Sequence, residues 1–159
     1  MEYNKFKDLL QPAIEILVKQ NDDFKQRFGK EIFTIQTVSE VELTKFEEKY
    51  KIKIPKFYRE FLKEYNPSRL EIMFHGILGL KEIGLALDYL RNEISISDQS
   101  YIPIASDNCG NYFGTINNSQ TIFICDHEEE FELMGFSSIE NFYKRLIEEK
   151  LEHYNQRKY

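Results

Sequence analysis

Apolar side chains recur at helical spacing near both ends of this 159-residue chain and gather into short runs between polar turn formers in its middle. Phe6, Leu9, Leu10, Ala13, Ile14, Leu17 and Val18 make one face of an amphipathic helix over residues 3–28, which Phe24 and Phe28 prolong and Gly29 stops. Pro12 lacks an amide proton and crowds the preceding turn, so a kink or two consecutive helices are expected near Gln11. Glu31–Thr37 alternates loosely, as a short strand or extended connection does. Ser39 with Glu42 three residues on is a capping-box pattern, and Val38 with Leu43 makes the accompanying hydrophobic staple. The helix they open, over 39–50, turns Leu43, Phe46, Glu47 and Tyr50 inward. Pro55 suits the first turn of a second helix over 56–65, which buries Phe57, Tyr58, Phe61, Leu62 and Tyr65 and stops before Pro67.

The middle of the chain reads differently. Leu70–Leu80 is an apolar run with Gly76 and Gly79, a strand that turns or bulges, and Gly84–Asn92 is a helix or helical turn. Tyr101–Ala105, Tyr112–Ile116 and Thr121–Cys125 are short β-branched and aromatic runs separated by SDNCGN and NNSQ, an antiparallel meander. Pro103 inside the first run argues for an edge position or a strand end. His127–Glu130 is a charged loop tip and Phe131–Phe136 a last strand. Ser137 with Glu140 reads as a second capping box, opening a helix over 137–151 before a polar tail that frays. Runs of this order predict an α+β fold, with a mostly antiparallel sheet and flanking helices. The length suits one domain over 1–159.

Charge sharpens this picture. The chain holds 21 basic and 27 acidic residues, a net charge of −6. Arg91 is the last base before Lys144, and between them stand nine acids, from Glu93 to Glu140. Burial excludes Lys and Arg from strands, but it excludes Asp and Glu as well. The window therefore points to an acidic face on the meander, which steers cationic partners and repels nucleic acid. No run of 18 apolar residues crosses a membrane, and the charged start is unlike a secretory signal. Cys109 and Cys125 are too few and too far apart for a CxxC site, so a cytoplasmic protein with reduced thiols is expected.

Several patterns then coincide in order: SEVELTKFEEKY, IKIPKFYREFLKEYN, ILGL, IPIASDNCGNYFG, TIFICDHE and FSSIENFYKRL. Together, from about Val38 to Ile147, they resemble the SUKH superfamily, which includes fungal cell-wall-synthesis regulators of the SMI/KNR type and many bacterial immunity proteins. The family's Phe-Glu pair matches Phe46 and Glu47, its Leu-Pro matches Ile54 and Pro55, and its Tyr followed by Phe-Leu matches Tyr58, Phe61 and Leu62. Its Asp-x-x-Gly-Asn turn matches Asp107, Gly110 and Asn111. Where the family often has Asn-Gly-Gly after the second helix, this chain has Asn66-Pro67-Ser68, and it has no Trp; the resemblance makes residues 1–37 an N-terminal helical extension to a family core over 38–151.

Chemistry of its own finds little support. Cys109 with His127 or His75, assisted by Asp107 or Asp126, has no recognised catalytic spacing. A calcium loop through Asp107, Asn108 and Asn111 would place Cys109 at an oxygen position and Gly110 two places early, so a turn bonded to its own backbone is the simpler reading. No catalytic, metal or cofactor site is therefore expected. The resemblance implies an immunity protein that neutralises a cognate secreted toxin domain, a nuclease with a basic channel suiting the acidic face. The rival is a housekeeping interaction module of the SMI/KNR type, and a small Cys/His hydrolase stands behind both. The expected partner surface is Asp107, Asn108 and Asn111 with Asp126, Glu128, Glu129 and Glu130, since both segments flank the same two strands.

Overall fold

The computed structural model describes residues 1–157. Helix α1 (Tyr3–Phe28) is followed by the two-residue strand β1 (Thr34–Ile35), then α2 (Glu40–Tyr50) and α3 (Lys56–Tyr65). Strand β2 (Pro67–Ser68) pairs with β1, and β3 (Leu70–Ile72) and β4 (His75–Ile77) form a hairpin. Helix α4 (Leu80–Asp88) runs on as a π-helical segment, Tyr89–Ile94. Strands β5 (Tyr101–Asp107), β6 (Tyr112–Ile116), β7 (Thr121–Cys125) and β8 (Leu133–Ser138) precede the closing helix α5 (Ile139–Gln156). The main sheet has six strands in the order β3-β4-β5-β6-β7-β8, every pair antiparallel. The α+β expectation holds.

Register decides what each face of the sheet meets, because neighbours across an antiparallel ladder share a face. Phe113, Ile124 and Met134 lie abreast, as do Tyr112, Cys125 and Leu133. Of the first set, Phe113 belongs to the large core shared with α1, α2, α3 and α5 and Ile124 packs against it, while Met134 is exposed. Phe6 sits at its centre, edge-on to Phe57, Phe61 and Tyr143 at 4.9, 5.5 and 4.8 Å. The N-terminal helix is thus part of the packed core, through Phe6, Leu10, Ala13, Ile14 and Leu17. The opposite face carries a smaller core of Leu90, Ile96, Tyr101 and Cys125, covered by the π-helical segment and the loop after it.

Several local expectations change in three dimensions. Pro12 does not divide α1, because it lies on the solvent side, where water can take the carbonyl that loses its intrahelical donor. Pro103 is in β5, an interior strand, but at a bulge and beyond the end of β4, so the missing amide proton deprives no neighbour. The run Leu70–Leu80 is a hairpin turned at Met73, and α4 begins at Leu80, four residues before Gly84. A Cβ at Gly79 would lie 1.8 Å from the Pro67 carbonyl oxygen, and Asn66 Oδ1 accepts the Leu80 amide at 2.8 Å, so the α3–β2 junction sets where α4 starts. At α5 the cap is Ser138, accepting from the Asn141 amide at 3.1 Å, because β8 stays paired with β7 as far as Ser138 opposite Thr121 and the helix opens only at Ile139. The last strand begins at Leu133, two residues later than expected, since Phe131 belongs to the loop. Most of the tail expected to fray continues α5 to Gln156, and Lys158 and Tyr159 lie outside the described residues.

The capping box at α2 forms as read: Ser39 Oγ accepts the Glu42 amide at 3.2 Å and Glu42 Oε2 accepts the Ser39 amide at 2.8 Å. Gly29 ends α1 in the left-handed conformation, donating to the Lys25 carbonyl. Between α2 and α3, Glu47 is buried and accepts the Ile54 amide at 3.0 Å, with Arg59 Nε 3.4 Å away. One carboxylate therefore satisfies the linker's backbone and pins α3 to α2.

The candidate protein-binding face

The two candidate segments meet at one end of the sheet. Asp107 ends β5, Tyr112 opens β6, and Cys125 ends β7 opposite Tyr112. Asn111 joins them directly: its Oδ1 accepts the His127 amide at 3.1 Å and lies 2.7 Å from His127 Nδ1, so that ring nitrogen carries the proton. The imidazole lies over Gly110, which takes φ +93° and would present a Cβ 3.7 Å from the ring. Glycine fits there because a left-handed turn strains any residue with a side chain.

Asp107 turns its carboxylate inward. Its Oδ1 accepts the Cys109 and Asn111 amides, both at 2.9 Å, and its Oδ2 accepts Asn111 Nδ2 at 3.0 Å. The Asp-x-x-Gly-Asn match is thereby explained: Asp107 closes the turn, Gly110 supplies the left-handed bend, and Asn111 reaches across to the neighbouring loop. Asn108 and Cys109 are left at the exposed crest.

The acidic tip is also built, not merely solvated. Asp126 Oδ1 caps a single 3-10 turn by accepting the Glu128 amide at 2.9 Å, and its carbonyl accepts from Glu129 at 3.2 Å and Phe131 at 2.8 Å. Glu130 and Phe131 both take positive φ, at +55° and +58°. Such backbone costs of order 1–3 kcal/mol per residue and persists only where its surroundings fix it. Here they do: the Phe131 carbonyl receives the Cys125 thiol at 3.5 Å, and its ring lies 6.2 Å from Tyr89. The tip holds Glu128, Glu129 and Glu130 outward, and with Glu132 they flank a groove of about 500 Å3 whose other wall is Ile94–Ser97.

All seven expected site residues thus gather at this end, but in two classes. Asp107, Asn111 and Asp126 spend their oxygens shaping the loops, whereas Asn108, Glu128, Glu129 and Glu130 are free to meet a partner. Sequence reasoning missed Glu132 and the Ile94–Ser97 wall, for which no local signal existed, and the exposed Met134 and Phe136 on β8. The signal for the last two was present in LMGFSS, whose large apolar residues are not in strict alternation.

The cysteines and histidines do not assemble a reacting group. Among the described residues, no hydrogen bond links either thiol to a histidine, and Cys125 is buried, its thiol pushed up to about 11 by burial and then by Asp126. Burial also lowers the His75 pKa; the nearby Asp107 opposes this, and His75 Nδ1 is enclosed without a partner. Its ring packs edge-on to Phe113 and Phe142 at 5.2 and 5.8 Å, the contacts of a core-edge histidine. Among the described residues no three His, Cys, Asp or Glu converge as a metal site, and no helix is long and apolar enough to cross a membrane.

Comparison with curated proteins finds no match. A family model does match, over residues 37–145, described as the SMI1 / KNR4 family (SUKH-1). It begins at the α2 staple, includes both meander loops and ends within α5, so the buried Glu47, the Asp107–Asn111 turn and the acidic tip all lie inside it. By that match, over more than half of its length, the chain belongs to the SMI1 / KNR4 family (SUKH-1).

Proposed function

We propose that this protein is an immunity protein, which binds a cognate secreted polymorphic toxin domain and neutralises it by covering the active site with the acidic end of its sheet. The observation that carries the reading is the Asn111–His127 junction, which fuses two loops into one negative surface inside a 52-residue window without Lys or Arg. A surface of this sign raises the encounter rate with a basic surface and disfavours nucleic acid itself. A nuclease suits it best, because a channel that holds phosphates is lined by cations. The inhibitor needs no chemistry of its own; it is cytoplasmic and acts by occupancy. Family membership also favours a second reading, a non-catalytic interaction module of the SMI1 / KNR4 type whose partner is a cellular protein.

A secreted toxin encoded beside this gene separates the two readings, and binding kinetics with that toxin domain tests the first. The triple variant E128K/E129K/E130K should slow association by about tenfold or more at low salt, and the loss should shrink at high salt. Each rim pair is worth only ~0.2–1 kcal/mol, so the three single variants should be nearly silent. A triple variant that associates at the unmodified rate, with its melting temperature preserved, would place the interface elsewhere.

A further inference from the structure

We infer that this face takes an extended, basic segment of its protein partner as a seventh strand on the outer edge of β8; the inference rests on the acidic-surface reading above. Strand β8 closes the sheet, and among the described residues no strand lies beyond it. An open edge presents unpaired amides and carbonyls, and proteins normally protect one by shortness, charge, proline, a bulge or a covering element. The other edge, β3, is three residues long and carries the exposed Glu71. In contrast, β8 is six residues long, LMGFSS, with neither charge nor proline. Its one irregularity is the bulge where Ile122 pairs with Ser137 and Phe123 with Gly135, leaving Phe136 unpaired.

The same strand exposes apolar surface where α5 does not cover the sheet. Phe136 is 51% exposed and Met134 40% exposed. Phe136 lies against Phe113 and Phe142 at 5.4 and 6.3 Å, at the side of a groove of about 360 Å3 that runs along α5 past His75. A strand added to β8 would set its inward side chains against Met134 and Phe136 while its backbone pairs with the edge, the usual division between affinity and specificity in strand addition.

Charge selects the occupant. Glu128, Glu129, Glu130 and Glu132 stand immediately before β8, and no Lys or Arg occurs between Arg91 and Lys144. A segment lying along β8 with Lys or Arg at the end nearest the tip meets opposite charge there. A second copy of this chain is disfavoured, because it would bring the same base-free window to the shared edge.

The probes are octapeptides of alternating Val and Thr carrying two terminal lysines, at either end, with matched peptides carrying two glutamates and lysine peptides N-methylated on alternate residues. Binding to the full-length protein is read by amide chemical-shift perturbation and by sedimentation. A lysine peptide should bind at least about tenfold more tightly than its glutamate match, shift the amides of Leu133–Ser138, and lose about tenfold on N-methylation. Phe136→Ser should weaken it about fivefold while lowering the melting temperature by only about 2–5 °C, because the half-exposed ring gives up just its contacts with Phe113 and Phe142. Equal binding of lysine and glutamate peptides sinks the acidic-surface reading itself. Lysine-selective binding that ignores N-methylation and leaves the β8 amides unmoved keeps that reading and overturns strand addition. A doubled mass with β8 shifts in the absence of peptide also overturns it, by seating a second copy on the edge.

Discussion

Glu47→Ala should be the most damaging single truncation outside the hydrophobic core. Glu47 is 6% exposed, accepts the Ile54 amide at 3.0 Å and faces Arg59 Nε at 3.4 Å, while Lys53, 3.9 Å away, is largely solvated. Removing the carboxylate strands the buried Ile54 amide, which costs about 1–3 kcal/mol. Loss of one partner of a buried ion pair costs about 3–5 kcal/mol when the other is left uncompensated. Arg59 is only partly abandoned, because it keeps Glu40 and, at 3.2 Å, Thr44. With the ion-pair share discounted for the contacts Arg59 keeps, the loss comes to roughly 3–4 kcal/mol, at or below the bottom of the ~4–8 kcal/mol that the two effects would reach in full. At ~2–4 °C per kcal/mol for a chain of this size, the melting temperature should fall by about 10 °C. Glu47→Gln retains an acceptor for Ile54 and should lose only about 1–2 kcal/mol. Urea unfolding followed by circular dichroism measures both, and a cycle with Arg59→Met isolates the pair, with a coupling of at least about 1 kcal/mol expected. If the Ala variant loses less than ~1 kcal/mol, or Gln and Ala lose the same, Glu47 is not the pin between α2 and α3.

Gly79→Ala forces a Cβ to within 1.8 Å of a backbone carbonyl and should cost about 3 kcal/mol by moving the α3–α4 junction; an unchanged urea midpoint would refute it. In the folded protein at pH 8 Cys109 should react with a thiol reagent and buried Cys125 should not, while both react in denaturant; two fast thiols in the native state would contradict the packing. Because folding raises the Cys125 pKa from 9.0 to about 11, the unfolded chain releases that proton first, so stability should decline from about pH 9 through pH 11. Buried Tyr58, Tyr101 and Tyr143, all raised by desolvation, act in the same direction, and flat stability across that range in urea titrations would be inconsistent.

Where a structure depends on neighbours in the chain, it was readable in the letters. The Ser39–Glu42 box needs only residues three apart, the Gly29 stop only one left-handed residue, and the faces of α1, α3 and α5 only a 3.6-residue period. The meander was equally legible, because its strands are short β-branched and aromatic runs separated by residues that favour turns. That legibility extended to the site: two loops flanking one strand pair must fall at one end of an antiparallel ladder, and Asp107–Asn111 and Asp126–Glu130 do.

What the letters did not contain was competition between distant groups. Whether Ser137 or Ser138 caps α5 is decided by β7, which keeps β8 paired as far as Ser138 opposite Thr121. The start of α4 is decided by the Pro67 carbonyl and Asn66, thirteen or more residues away in each case. The Asp107 turn bonded to its own backbone was legible, but not that Asn111 Nδ2 would also take the second carboxylate oxygen and leave Asp107 little to offer a partner. Exposure of Met134 and Phe136 depends on where α5 crosses the sheet, a property of helix packing and not of β8 itself. Sequence by itself determined the elements and the sign of the surface, since periodicity and charge are local. Tertiary structure alone decided that Asn111 and His127 join the two loops and that Met134 and Phe136 stay uncovered, because those contacts were settled by groups the fold brought together.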